Sequence, residues 1–192
     1  MITEFFTALL AVAAAELGDK TQFIALLLAA RYAKQKWAII LGLIAAATLM
    51  HGLAATLGFY LGDFVVGDYT ALVVGILFIV MGLAILRKEP EGSDDVNHRY
   101  LRFGAFAASF LLFSLSEIAD KSQIATMMLA AHYEAIVTIA AGAVVGMVLL
   151  LVPVVFFGAW LTKRIPMQVI RYTGFAIFVA IGILSLYEFF AN

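Results

Sequence analysis

The sequence contains no cysteine and only three histidines. The first absence excludes disulfides and thiolate metal sites, and the second leaves too few imidazoles for a zinc cluster. Charge is scarce as well: 13% of the 192 residues are Asp, Glu, Lys or Arg, 65% are apolar, and the mean hydropathy is +1.05. Such values lie far outside soluble globular usage and predict an all-α integral membrane protein with no soluble domain. The formal net charge of −1 points to no particular partner, and no nucleic acid is expected to bind. A basic n-region is also missing from the opening stretch MITEFFTALL, so the first hydrophobic segment is expected to remain as a span.

Crossing a hydrocarbon core of about 30 Å takes roughly 20 apolar residues. Six segments qualify, at 2–30, 37–61, 69–86, 103–131, 135–161 and 167–190. The one sizeable hydrophilic connection, RKEPEGSDDVNHRYLR at 87–102, reads as a solvated linker between residues 1–86 and 103–192. Ten of the twelve basic residues fall in three connections: Arg31, Lys34 and Lys36; Arg87, Lys88, Arg99 and Arg102; Lys163, Arg164 and Arg171. The other connections and both ends hold acids alone, namely Glu4, Asp63, Asp68, Glu134 and Glu188. By the positive-inside rule the basic connections face the cytoplasm and both termini lie outside.

What is present in place of the missing residue types is a charged motif inside two of the apolar runs. AELGDKTQFIALLLAARY in the first span aligns with SEIADKSQIATMMLAAHY in the fourth at a constant offset of 101 residues. Glu16 thereby matches Glu117, Asp19 matches Asp120, Lys20 matches Lys121, Thr21 matches Ser122 and Gln22 matches Gln123. Each half holds three spans, an odd number, so the two motifs run in opposite directions across the bilayer. The expected architecture is six transmembrane helices forming two inverted three-helix repeats, the arrangement in which secondary transporters place a substrate site near the midplane.

On a continuous helix, turning about 100° per residue, Glu16, Asp19, Lys20 and Gln22 share one face and Thr21 does not. Two such faces meeting at the repeat axis would offer four carboxylates and two amide oxygens. Thr21 and Ser122 would join only if the helices unwind locally, which Gly18 makes feasible in the first motif and Ala119 does not assist in the second. Four carboxylates set against two ammonium groups leave a formal charge of −2. Burying that charge uncompensated costs several kcal/mol or more, and either one divalent cation or two protons would neutralise it. Metal and protons then compete for the same oxygens, which is what antiport requires. An all-oxygen site suits Ca2+, Mn2+ or Mg2+, with Met127 and Met128 as candidate softer donors. Glu16 with Lys20 and Glu117 with Lys121 are spaced i,i+4, so each Lys would either neutralise its own Glu or leave when metal arrives. His51 is read either as a hydrogen-bonded packing histidine or as a proton relay; at the repeat offset its counterpart is Val152.

Two copies of E-x-G-D-[K/R]-[T/S] in a six-span chain resemble the Gdt family of calcium/manganese:proton exchangers, a branch of the lysine-exporter superfamily. ELGDKT at 16–21 fits the motif fully, and EIADKS at 117–122 departs from it at Ala119. The resemblance covers essentially the whole chain. It implies Glu16, Asp19, Glu117 and Asp120 as metal ligands, with Thr21 and Ser122 in support. It also implies manganese export from a bacterial cell across the plasma membrane, with Ca2+ as the second candidate. The expected protein is therefore an antiporter and not an enzyme. Metal and protons pass through as substrate and coupling ion, the bilayer is the surrounding partner, and small-xxx-small pairs such as Gly58 with Gly62 and Gly142 with Gly146 permit a homo-oligomer. Three rival readings use the same acids: an amino-acid carrier holding a substrate ammonium, a cation channel, and an intramembrane aspartyl protease with Asp19 and Asp120 as its dyad.

Overall fold

The computed structural model describes residues 1–17, 19–65, 69–86, 103–118, 120–164 and 167–191. Eight α-helices and no strand occur among them: α1 (Ile2–Glu16), α2 (Lys20–Arg31), α3 (Lys36–Val65), α4 (Thr70–Ile85), α5 (Ala105–Glu117), α6 (Lys121–Tyr133), α7 (Ile136–Arg164) and α8 (Met167–Ala191). Four of the six expected segments are single helices close to their anticipated limits, and α7 continues through Pro153. Within them Lys36–Tyr60 and Ile136–Phe157 are each long and apolar enough to cross a membrane. The expected spans 2–30 and 103–131 are not continuous. Each is interrupted directly after its motif glutamate, giving the half-helix pairs α1/α2 and α5/α6. The linker 87–102 lies outside the described residues, as do Gly18, Ala119 and Asp68.

Packing crosses between the two halves of the chain. The long helix α3 receives α5 and α6, α7 receives α1 and α2, α3 touches α7, and α4 lies along α8. Small residues make the approach close enough. A Cβ on Gly42 would lie 2.5 Å from the Phe106 carbonyl oxygen and 2.7 Å from Ser109 Cβ, and one on Gly146 would lie 2.5 Å from the Leu9 carbonyl oxygen. Gly58 abuts the Met127 carbonyl and Gly142 the Phe5 carbonyl in the same way. Because Gly42 faces Phe106 and Ser109 while Gly142 faces Phe5 and Ala8, α3 and α7 correspond at an offset of 100 residues, not 101. The counterpart of His51 is accordingly Leu151 and not Val152.

Buried apolar side chains form two clusters. One gathers Ile24 and Leu28 of α2, Ile39 and Leu43 of α3, Phe113 of α5 and Met147 and Leu151 of α7. The other gathers Ala8 and Ala11 of α1, Ala55 of α3, Leu129 of α6, Ile139 of α7 and the stacked pair Phe78 and Phe178 of α4 and α8. The first cluster takes the beginning of α3 and the later part of α7, and the second takes the reverse. Both helix interruptions therefore fall between the clusters, at mid-depth of the bundle.

Candidate metal centre

The two interruptions share one backbone conformation. Leu17 (φ −62°, ψ 110°) and Ile118 (φ −60°, ψ 119°) turn the chain out of the helix, and Asp19 (φ −86°, ψ 169°) and Asp120 (φ −81°, ψ 167°) precede the next helix in extended geometry. The Asp19 amide donates to the Glu16 carbonyl and the Asp120 amide to the Glu117 carbonyl, both at 3.2 Å. Aspartate is favoured at the position before a helix because its carboxylate can accept from the first free backbone amides. Here neither side chain caps its own helix, which leaves both carboxylates available to other partners. The N-termini of α2 and α6, with their partial positive charge, begin beside the acids.

Local unwinding rearranges the face expected from a continuous helix. Thr21, placed off that face by the wheel, swings back, and its hydroxyl donates to Glu16 Oε2 at 2.5 Å; Ser122 does the same to Glu117 Oε2 at 2.7 Å. The ion pairs seen among the described residues join each lysine to the other motif and not to its own glutamate at i,i+4. Lys20 Nζ stands 3.6 Å from Asp120 Oδ1, and Lys121 Nζ stands 3.8 Å from Asp19 Oδ1, so each ammonium compensates the aspartate of the other motif. Gln22 Nε2 donates to the Glu16 carbonyl at 3.2 Å, while Gln123 is buried beside Glu117.

Glu16 and Glu117 are fully buried, and Asp19 and Asp120 nearly so. One oxygen of each, Glu16 Oε1, Asp19 Oδ2, Glu117 Oε1 and Asp120 Oδ2, has no hydrogen-bond partner among the described residues. Four unpartnered carboxylate oxygens at mid-depth are costly unless a cation or protons meet them. Glu16, Asp19 and Asp120 each bring one oxygen to within 4.8 Å of the others, a spacing suited to a single hard cation. Glu117 belongs to the same buried zone and stands outside that trio. Met128 packs in the second apolar cluster beside Leu129, and the Met127 backbone lies against Gly58.

His51 is fully buried on α3, and its Nδ1 lies 2.9 Å from Thr126 Oγ1. Thr126 spends its own hydroxyl proton on the Ser122 carbonyl at 2.8 Å, so His51 is the donor, and its Nε2 is left without a partner. The sequence leads one to expect a hydrogen-bonded His51 but does not single out Thr126 of α6 as its partner. The only signal for that pairing is that Thr126 is the polar residue four positions after Ser122 in an apolar run.

The sequence model described as divalent cation/proton antiporter GDT1 matches residues 4–93 and 105–192, which takes in both motifs. A protein of Vibrio cholerae provisionally named a manganese exporter is 36% identical over 178 residues, covering 92% of this chain and 86% of the relative. A GDT1-like protein of Synechocystis is 28% identical over 204 residues, covering 96% and 97%. A GDT1-like protein of Oryza sativa subsp. indica is 28% identical over 206 residues, covering 95% and 73%. No solved structure matches the chain. A model match over nearly the whole length, with both charged motifs inside it, decides the family: the chain belongs to the GDT1 divalent cation/proton antiporters, which are membrane transporters and not enzymes.

Proposed function

We propose that this protein exports Mn2+, with Ca2+ as a second substrate, in exchange for protons by alternating access across a bacterial plasma membrane. Residues 1–86 and 103–192 form two inverted three-helix repeats joined by a cytoplasmic linker at 87–102, and both termini lie outside. In this reading α1 with α2 makes one broken span, and α5 with α6 makes another. The reciprocal packing of each broken pair on the long helix of the opposite half supports it. So does the confinement of basic residues to alternate connections.

The observation that carries the proposal is the trio of carboxylates from Glu16, Asp19 and Asp120, assembled from both halves with unpartnered oxygens. Glu117, held by Ser122, completes the set of acids. Thr21, Ser122, Gln22 and Gln123 orient or supplement them, and Lys20 and Lys121 balance their charge. Rocking of the halves exposes the acids first to the cytoplasm and then outside. Metal bound on one side is replaced by protons on the other because both occupy the same oxygens. Mn2+ is placed before Ca2+ on the name given to the Vibrio cholerae relative.

Proteoliposomes with an imposed pH gradient test this directly, with internal metal and internal pH read together. Metal entry coupled to proton exit, lost in Asp120→Asn, is the expected result. Lowering the pH on the loading side should weaken Mn2+ uptake, since protonated carboxylates no longer offer anionic ligands. Flux indifferent to the pH gradient would instead describe a channel. Absence of metal flux together with competition by amino acids would describe an amino-acid carrier.

A further inference from the structure

The two lysines are the more exposed members of two ion pairs with the buried aspartates. Lys20 and Lys121 side chains are 36% and 31% exposed, whereas the Asp120 and Asp19 side chains they face are 9% and 3% exposed. Each pair also joins one half of the chain to the other, since Lys20 begins α2 and Asp120 precedes α6, while Lys121 begins α6 and Asp19 precedes α2. The ammonium groups hold one oxygen of each aspartate, Oδ1, and leave Oδ2 open, so a cation that takes both oxygens of each carboxylate displaces them.

We propose that Lys20 and Lys121 are a paired surrogate cation that selects for divalent ions and pins the two halves together until one binds. This deepens the transport reading above and rests on it. Two ammonium groups and one divalent ion carry the same charge. An ion seated between Asp19 and Asp120 therefore releases both lysines and leaves both aspartates compensated. A monovalent ion replaces only one ammonium, so either one lysine stays in place and the halves remain tied, or one buried aspartate is left unpaired. Leaving a buried charge unpaired is strongly unfavourable. Selection against Na+ and K+ thus follows from charge count and from the crossing of the pairs, independently of ligand geometry.

Two measurements test it. In the unmodified protein, labelling of Lys20 and Lys121 by an amine-reactive reagent, read by mass spectrometry, should rise together when saturating Mn2+ is added and stay unchanged with Na+. In Lys20→Met, Asp120 loses its surrogate, so the purified protein should bind Mn2+ at least about tenfold more tightly in the absence of Na+. In that variant Na+ should compete with Mn2+, while the unmodified protein and Lys20→Arg remain indifferent to it. The inference is overturned if the unmodified protein binds Mn2+ with lysine labelling unchanged, or if Lys20→Met folds and stays indifferent to Na+. The labelling experiment decides the matter should that variant fail to fold. Failure of the unmodified protein to bind Mn2+ at all would overturn the transport reading along with this one.

Discussion

The first and second charged motifs build the same local structure from different surroundings. Both break a helix after glutamate, hold that glutamate by a hydroxyl five residues on, leave one oxygen on each acid unpartnered, and send a lysine across to the other aspartate. Around the second motif, however, His51 bonds to Thr126, whereas the equivalent positions around the first are Leu151 and Ala25, both fully buried. Ser109 of α5 is likewise matched by Ala8 of α1, again both buried. What the halves share touches the acids, and what they do not share lies a turn or two away. In the proposed inverted repeat, a site built from both halves needs the shared parts from each. It can draw support from either polar or apolar packing behind them.

That comparison can be broken at several levels. The largest effect is expected for Asp19→Asn and Asp120→Asn, each of which removes a buried anionic ligand worth about 3–5 kcal/mol, or about 100-fold or more in Mn2+ transport. Both variants should still be folded by thermal unfolding of the purified protein, and transport by either one would end the shared-site reading. Gly42→Leu and Gly142→Leu drive a side chain into the opposing half-helix and should cost at least about 1–3 kcal/mol each. Gly52→Leu, where nothing lies within 4 Å of an added Cβ, should leave the melting temperature nearly unchanged. Thr21→Ala and Ser122→Ala should weaken Mn2+ affinity by similar amounts, about 10- to 100-fold for a lost hydrogen bond to a charged group of about 1.5–3 kcal/mol. Unequal losses would show that the trio with Glu16 matters more than the Glu117 side. Smallest is the histidine link. His51→Leu removes the bond that the Thr126 hydroxyl accepts and leaves the one it donates to Ser122, so it should destabilise by about 0.5–1.5 kcal/mol, whereas His51→Leu with Thr126→Ala copies the apolar pair of the other half and should recover part of that loss.

Much of this was legible in the chain itself. The scarcity of charge and the run lengths fix an all-helical membrane protein. The offset between the two ELGDKT-like segments identifies the four acids, the two lysines and the two hydroxyls that hold the glutamates. Less legible was the path of the backbone through the motifs. A wheel drawn on a continuous helix joins Lys20 to Glu16 and turns Thr21 away, because a 3.6-residue period holds only while the helix does. Asp19 and Asp120 end that period by preceding new helices, and the sequence marks them only as acids in an apolar run.

Composition, spacing and repetition thus determined by themselves which side chains must share a low-dielectric interior, since charges there need one another or a cation. Tertiary structure alone decided who meets whom. Lys20 and Asp120 are 100 positions apart and Asp19 and Lys121 are 102 apart. Pairs at such separations come together through the packing of α3 on α5 and α6, and of α7 on α1 and α2, and no local period encodes them.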